Sequence, residues 1–320
     1  MADPLLRVSH LKVSFRTEDR AVVRAVDDVS LDVHAGEAMG IVGESGCGKT
    51  TIARAIIGQV QPDEGAVYLD GEQLGRTRTI SQRRTVQMVF QDPYSSLNPR
   101  MTVRQTLREL LRVHRLVPSS QVDERCRELL AMVGLPERSL NSYPSQFSGG
   151  QRQRLAIARA LAVEPRAIVA DEPVSSLDVS VQATILQLFA ELRARLGLTL
   201  ILISHDLAVV RYLCDRIAVM YLGRIAEHGR RDVIFDDPRH PYTRALLTAA
   251  PRIRRYEPPD QLGLRGEPPG AVDIPAGCRF HPRCPIAEGI CEVEDPSLLG
   301  LDADPAHLSA CHFRAARIGR

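Results

Sequence analysis

Short apolar runs alternate along this chain with segments in which apolar residues recur at helical spacing. The clearest runs are Ala38 to Val42, Ala167 to Ala170 and Leu198 to Ile203. Mostly apolar runs of this length are typical of strands buried on both faces. A glycine-rich turn and a helix from about Lys49 to Val60 follow the first run. The alternation predicts an α/β fold whose sheet is mostly parallel.

The strand pattern disappears between residues about 103 and 163. Apolar residues recur there at helical spacing over 106–111 and 129–133, and a polar, strongly helical stretch runs from Gln151 to Leu161. This pattern predicts a helical insertion in the α/β core.

The composition changes near Pro251, where a stretch rich in proline and glycine begins and continues over 257–270. Such a segment is typical of an irregular linker. We therefore predict one domain over residues 1–250, with a helical subdomain at about 103–163, and a small C-terminal module over 251–320.

Lysine is nearly absent, since Lys12 and Lys49 are the only two in the chain. A compact ammonium at position 49 is therefore expected to serve a purpose that a guanidinium cannot meet. The formal net charge of +2 does not indicate a polyanion binder. No run approaches the roughly 20 apolar residues of a membrane span, and we see no secretory signal. Any role at a membrane would need other subunits to span it.

Residues 43–50 read Gly-Glu-Ser-Gly-Cys-Gly-Lys-Thr and match the phosphate-loop pattern G-x-x-x-x-G-K-[ST]. Glycines let the backbone wrap closely, so that N–H groups and a helix N-terminus point at phosphates. Lys49 can reach the β- and γ-phosphates and Thr50 can bind Mg²⁺. A chance match has odds of roughly one in a hundred in a chain of this length. The strand before the loop and the helix after it make a plain glycine-rich turn the weaker interpretation.

An acid pair, Asp171-Glu172, follows directly after the predicted strand at 167–170. Asp171 would hold Mg²⁺, directly or through water, and Glu172 would polarise the attacking water. Adjacent carboxylates at a strand end could also simply cap the next turn. The phosphate loop elsewhere in the chain favours the catalytic interpretation.

Phe147-Ser-Gly-Gly-Gln151 lies about twenty residues before the acid pair. With the two motifs above, it resembles the signature motif of the ATP-binding cassette (ABC) family. The resemblance implies an ABC-type ATPase core with a helical insertion. It also implies that Ser148, Gly149, Gly150 and Gln151 meet the γ-phosphate held by the other subunit of a head-to-tail pair. The residues that would contact ATP and Mg²⁺ from the loop are Gly43, Glu44, Ser45, Gly46, Cys47, Gly48, Lys49, Thr50 and Thr51.

Four further positions resemble functional residues of the family. Gln91 is similar to the glutamine that contacts Mg²⁺ and senses the membrane subunit, and Asp178 lies in a segment like the loop that crosses the dimer interface. His205, after the run ending at Ile203, resembles the histidine that contacts the γ-phosphate. Phe15 is our candidate for the aromatic that stacks on adenine, although a phenylalanine of strand core would look the same.

The segments 90–100, His240-Pro-Tyr-Thr243 and Gly277-Cys-Arg-Phe-His-Pro-Arg-Cys284 resemble the ATPases of oligopeptide and dipeptide importers. That resemblance implies a second ATPase subunit, identical or homologous, and two integral membrane permease subunits. It also implies an extracytoplasmic solute-binding protein and a location on the cytoplasmic face of the membrane. Importers of nickel and of some other solutes belong to the same subgroup.

Four cysteines crowd the C-terminal module: Cys278, Cys284, Cys291 and Cys311. Four thiolates can bind zinc or hold an iron–sulfur cluster, and unligated or disulfide-prone thiols are the third possibility. The spacing lacks the tight pairs usual for zinc. The peptide-importer resemblance implies a [4Fe–4S] cluster at these four positions.

Two other classes of function are compatible with a cassette ATPase. A soluble ATPase of DNA repair or of ribosomes usually has a long coiled coil or two cassettes, and this chain has one cassette, no sustained heptads and no basic stripe. We therefore expect no nucleic acid among its partners. The segment after residue 240, called the tail below, resembles that of importers and disfavours an exporter.

Overall fold

The structure, a computed structural model, describes residues 3–249, 269–301 and 304–313. The strands in chain order are β1 (Leu6–Arg16), β2 (Val22–Val33), β3 (Ala38–Val42), β4 (Glu64–Leu69), β5 (Glu72–Gln73), β6 (Val86–Val89), β7 (Ala167–Asp171), β8 (Thr199–Ser204), β9 (Arg216–Tyr221), β10 (Arg224–Arg230), β11 (Leu299–Leu301) and β12 (Asp304–Ser309). The α-helices are α1 (Lys49–Ile57), α2 (Ile80–Thr85), α3 (Val103–Val113), α4 (Val122–Met132), α5 (Gly149–Leu161), α6 (Val179–Leu196), α7 (Leu207–Leu213), α8 (Arg231–Asp236), α9 (Pro241–Ala249) and α10 (Gly289–Val293).

The chain divides into two compact units. The helical unit contains His34–Glu37 and Leu74–Leu202, and the sheet unit contains Asp3–Val33, Ala38–Gln73 and the described chain from Ile203 onward. Each unit is therefore assembled from segments that are distant in sequence.

The sheet unit contains an antiparallel sheet in the order β2-β1-β4-β5. In β1 the buried residues are Leu6, Val8, Leu11 and Val13. Their alternation changes phase at His10, whose φ of 48° shifts the register between Val8 and Leu11. This irregularity breaks the period-two alternation from which a half-buried strand is predicted. The antiparallel sheet was therefore not predicted from the sequence.

A second set of strands in the sheet unit has the order β11-β12-β10-β9-β3. β3 runs parallel to β9, and β10 pairs antiparallel with both β9 and β12. All five residues of β3 are buried. The strands contributed by the C-terminal residues thus extend the set that contains β3, the strand leading into the phosphate loop.

The helical unit contains β6, β7 and the first four residues of β8, in the order β8-β7-β6, with β6 and β7 parallel. Helix α3 buries Val103, Leu107 and Leu111 at the i, i+4, i+8 spacing of one helical face. Within the predicted insertion at 103–163 the structure has α3, α4, α5 and short 3₁₀ turns, and no strand. The helical insertion is confirmed.

The predicted strands are confirmed with small shifts at their ends, since β7 includes Asp171 and β8 spans Thr199–Ser204. The first predicted helix is shorter than expected because Gly58, with φ of 80°, caps α1 after Ile57. The predicted domain boundary near Pro251 and nearly all of the linker over 257–270 lie outside the described residues. The division into 1–250 and 251–320 stays a prediction.

Candidate active site

The phosphate loop lies in the sheet unit, between β3 and α1. Gly43, Gly46 and Gly48 have φ values of 155°, 79° and 106°. A Cβ at Gly43 would lie 2.1 Å from the carbonyl oxygen of Met220, and one at Gly48 would lie 2.0 Å from that of Ala25. Both positions therefore require glycine for steric reasons as well as conformational ones.

Lys49 is held inside the loop that precedes it. Its Nζ donates to the carbonyl oxygens of Gly43 at 2.7 Å and Glu44 at 2.9 Å, and the residue is only 5% exposed. Burial raises the pKa of the neighbouring Cys47 thiol above its ordinary value, so this cysteine is a neutral packing residue. The Lys49 ammonium therefore has two backbone carbonyls and the Cys47 sulfur, at 3.8 Å, as partners.

The rest of the loop follows the predicted pattern. Ser45 and Gly46 form its exposed outer curve, while Thr50 and Thr51 lie in the first turn of α1. The helix opens with Gly48 as its N-cap and with no acidic residue in its first turn. An unopposed helix N-terminus of this kind favours a bound phosphate.

The acid pair and Gln91 lie together in the helical unit. Asp171 ends β7 and is 5% exposed. The Nε2 group of Gln91 donates to Oε2 of Glu172 at 3.1 Å and to Oγ of Ser175 at 3.3 Å. Glu172 has a φ of 45°, which is uncommon for a residue with a Cβ and is often found at functional positions. Gln91 and Glu172 are thus joined by a direct hydrogen bond.

The Ser-Gly-Gly-Gln segment forms the N-terminus of α5. Ser148 is the N-cap in a reciprocal capping box, in which its Oγ accepts from the Gln151 amide at 3.4 Å and its own amide donates to the Gln151 side chain at 3.0 Å. Ser148 is exposed, so this terminus faces solvent within the described chain.

Helix α6 packs closely against the start of α5. A Cβ on Gly150 would lie 2.4 Å from the side chain of Val181, and one on Gly149 would lie 3.2 Å from Leu177. Asp178 is the exposed N-cap residue of α6. The two glycines of the motif therefore bring the segment containing Asp178 next to the segment containing Ser148.

The segment after Gln91 also contacts α5. The guanidinium of Arg152 lies 4.3 Å from the ring centroid of Tyr94 and also donates to the Tyr94 hydroxyl. The Gln91 segment and the Ser148 helix are thus joined through a cation–π contact.

His205 and Phe15 belong to the sheet unit and are both exposed. His205 follows the end of β8, just before Asp206, which caps α7 by accepting from the Ala208 amide at 2.8 Å. Phe15 lies on β1 with 44% of its surface exposed. An exposed ring can stack on a base, and the assignment of Phe15 to adenine stays a prediction.

Comparison with known proteins decides the family. A family model described as "ABC transporter" matches residues 26–175. A "probable peptide ABC transporter ATP-binding protein" of Sinorhizobium fredii is 48% identical to this chain, covering 98% of this chain and 91% of that protein. This chain belongs to the ABC transporter family. Its enzymatic class is therefore that of the ABC ATPases.

Two further ABC proteins and a second family model are also similar to this chain. The oligopeptide transport ATP-binding protein AppF of Bacillus subtilis is 46% identical over 91% of this chain and 90% of its own length. The ATP-binding cassette MJ0796, solved as a dimer bound to ADP and Pi in a post-hydrolysis state, matches 71% of this chain and 98% of its own with a TM-score of 0.64 and 31% identity. A model described as "Oligopeptide/dipeptide transporter, C-terminal region" matches residues 226–291.

The cysteines of the ABC protein's tail do not fit the expected cluster. Among the described residues, which include all four tail cysteines, no group of three or more His, Cys, Asp or Glu side chains could hold a metal ion. Burial is the main cause that raises the pKa of Cys278 to about 12 and of Cys284 to about 11, and the neighbouring tail cysteines raise both further. The prediction of a [4Fe–4S] cluster at Cys278, Cys284, Cys291 and Cys311 is not supported.

Three contacts near these motifs were not predicted from the sequence. Ser175 shares the Gln91 amide, Tyr242 contacts the backbone of the phosphate loop, and Arg283 binds the Glu44 carboxylate. The last two partners are separated by 198 and 239 positions from Glu44. Local spacing carries no signal for pairs at such distances, although His240-Pro-Tyr-Thr243 and Cys278-to-Cys284 were singled out as motifs.

Within the described ranges, no helix is both long enough and apolar enough to cross a bilayer.

Proposed function

We propose that this chain is the ATP-hydrolysing subunit of an importer for dipeptides and oligopeptides. The observation that carries the proposal is the match of residues 226–291 to the C-terminal region of oligopeptide/dipeptide transporters. The same chain matches the ABC transporter model at residues 26–175. The names of the relatives from Sinorhizobium fredii and Bacillus subtilis support the choice of peptides.

In the proposed reaction the phosphate loop binds MgATP. Backbone N–H groups of the loop and the N-terminus of α1 face the phosphates, and the ammonium of Lys49 exchanges its carbonyl partners for phosphate oxygens. Thr50, Gln91 and Asp171 would hold Mg²⁺, which would supply positive charge against the negative charge of the phosphates. Phe15 stacks on the adenine ring.

Hydrolysis of the γ-phosphate is assigned to Glu172. Its carboxylate accepts a proton from the water that attacks the γ-phosphorus, the bond from that phosphorus to the bridging oxygen breaks, and ADP leaves. Gln91 orients the carboxylate through the 3.1 Å hydrogen bond. His205 donates to the γ-phosphate as charge develops on it. The left-handed backbone of Glu172 supports this role, because such a conformation is costly and persists where a side chain must be aimed.

A second ATPase subunit completes each nucleotide site in this proposal. The exposed N-terminus of α5, with Ser148, Gly149, Gly150 and Gln151, meets the γ-phosphate held by the partner subunit, and Asp178 lies at the same interface. Two membrane permease subunits contact the pair on the cytoplasmic face of the membrane, and an extracytoplasmic binding protein delivers the solute. ATP binding closes the pair, and hydrolysis and product release reopen it.

The proposal is tested by reconstituting the full chain with its membrane subunits, its partner ATPase and its binding protein in lipid vesicles. We expect ATP-dependent uptake of labelled dipeptides and oligopeptides. Glu172→Gln keeps the side-chain shape and removes the base, so it should bind ATP and transport nothing. Uptake of a nickel chelate or a sugar in place of peptides would refute the peptide assignment.

A further inference from the structure

Arg283, in the tail, binds a residue of the phosphate loop. Its two terminal N–H groups donate to both carboxylate oxygens of Glu44, at 2.7 and 3.0 Å. Arg283 is 6% exposed. A buried, two-point arginine–carboxylate pair has one well-defined geometry. The second residue of the loop is therefore fixed by a side chain that comes 239 positions later.

Tyr242 fastens the backbone of the same residue. The Glu44 amide donates to the Tyr242 hydroxyl at 2.9 Å. The Tyr242 ring is fully buried and packs at 4.5 Å from the ring centroid of Tyr221 and 5.4 Å from that of Phe280. Both the main chain and the side chain of Glu44 are thus held by residues beyond position 240.

Arg279 supports the loop at a second point through the turn between β9 and β10. Its guanidinium donates to the Leu222 carbonyl and to the Asp27 carboxylate. The next residue in that turn, Gly223, donates its amide to the carbonyl of Cys47 at 2.9 Å. Two arginines only four positions apart in the tail therefore reach the phosphate loop, one directly and one through a turn.

The phosphate loop needs such support because of its own composition. Three of its residues are glycines with positive φ, which allow many backbone conformations when unrestrained. A loop that is already held in one conformation loses less entropy when its N–H groups bind phosphate, so its affinity is higher.

We propose that Arg283 is a positioning residue for ATP binding, and that the tail around it is a working part of the nucleotide site. The inference rests on the proposed role of residues 43–50 in binding ATP. Arg283 binds the Glu44 carboxylate, so its effect is on the shape of the loop. Losing it should weaken ATP binding while leaving the rate at saturating ATP nearly unchanged.

The test compares Arg283→Gln with Arg7→Gln in the full-length protein. Arg7 also makes a two-point contact with a carboxylate of the same unit, donating to Asp32 at 2.8 and 3.4 Å between β1 and β2. We expect Arg283→Gln to raise the Kd for a fluorescent ATP analogue and the KM for ATP about tenfold, a typical coupling between two sites. Its kcat should stay within about twofold, and Arg7→Gln should leave Kd and KM near the wild-type values.

Two further variants separate positioning from folding. Arg283→Lys keeps the charge but not the two-point contact, so it should restore only part of the affinity. Tyr242→Phe removes the acceptor for the Glu44 amide and should also weaken ATP binding. If Arg283→Gln and Tyr242→Phe both bind the analogue as tightly as wild type, the positioning role is wrong. If the wild-type protein binds no ATP, the proposed function itself fails.

Discussion

At the scale of single residues, the glycines of the phosphate loop differ in what surrounds them. Gly46 and Gly48 both have positive φ, but a Cβ at Gly46 would meet nothing within 4 Å. At Gly48 the same atom would lie 2.0 Å from a backbone oxygen, which cannot move aside as a flexible side chain can. An alanine at position 46 therefore introduces backbone strain alone, whereas an alanine at position 48 adds a steric clash.

Gly48→Ala should destabilise the protein more than Gly46→Ala. Both variants place an alanine at positive φ, which costs about 1 kcal/mol or more. Gly48→Ala also forces β2 and the loop apart, which adds about 1–3 kcal/mol as in overpacked cores. Urea unfolding of the two variants measures the difference in free energy. Equal stability of the two variants would show that the backbone around Gly48 shifts enough to accommodate the added Cβ.

The positions of the candidate motifs relative to the strands could be predicted from the sequence because each motif is local. Lys49 and Thr50 follow a strand at fixed spacing, and Asp171 ends another strand with Glu172 directly after it. The residues that support them could not be predicted in this way. Arg283 and Glu44 meet only through the fold, and an arginine in a chain rich in arginine carries no distinguishing mark.

At the scale of elements, α5 and α3 begin with the same device. Thr102 caps α3 in a capping box with Gln105, just as Ser148 caps α5 with Gln151. Each box satisfies otherwise unpaired amides of the first turn. Only the α5 cap belongs to the signature motif. Substituting the capping residue of each helix therefore separates an effect on stability from an effect on catalysis.

Ser148→Ala and Thr102→Ala should each lower the free energy of unfolding by about 1 kcal/mol, the usual loss for a removed cap. Ser148→Ala should in addition reduce ATP hydrolysis about a hundredfold, because it removes the donor proposed for the γ-phosphate. Thr102→Ala should hydrolyse ATP at the wild-type rate. Phosphate release and thermal unfolding measure the two effects, and equal rates for both variants would exclude the proposed role of Ser148.

Glu227 joins three elements of the sheet unit. Its carboxylate lies on β10 and is fully buried, and it accepts from the amides of Arg239 and His240 at 2.7 and 3.0 Å before α9. Its Oε1 also lies 2.6 Å from Nε2 of His307 on β12. The polar groups around this carboxylate have little access to water.

Glu227→Ala should therefore lower the free energy of unfolding by roughly 3 kcal/mol, because buried donors lose their partner. Glu64→Ala is the control, since Glu64 pairs with Lys12 at 2.7 Å on the exposed surface and should have no measurable effect. Urea denaturation of both variants checks the expectation. A Glu227→Ala protein as stable as the control would mean that water replaces the carboxylate.

Elements with strong local signals were predicted more reliably than irregular ones. The buried run of β3 and the helical spacing of α3 depend on one repeating pattern each. β1 has no single pattern, because the positive φ at His10 changes its phase. Its pairing with β2 and β4 is a property of the folded chain.

At the scale of the whole molecule, two buried histidines make stability depend on pH. Burial lowers the pKa of His240 to about 4 and that of His228 to about 3, from an ordinary value of 6.5. Nδ1 of His240 accepts from the Tyr242 amide at 3.0 Å, and Nε2 of His228 lies 3.0 Å from the Arg216 guanidinium. Protonation would place a cation opposite a donor in both cases. In the folded protein these two imidazoles therefore become protonated only at a lower pH than in the unfolded chain.

Because the folded pKa values lie below the unfolded one, these histidines contribute stability above about pH 6.5 and lose it as the pH falls toward 4. Each should steepen the loss by up to about 1.4 kcal/mol per pH unit. His240→Asn keeps an acceptor for the Tyr242 amide and removes one titrating group. Its unfolding free energy, measured by urea denaturation from pH 7 to 4.5, should therefore fall less steeply than that of wild type. Parallel curves for the two proteins would show that His240 is not held neutral by the fold.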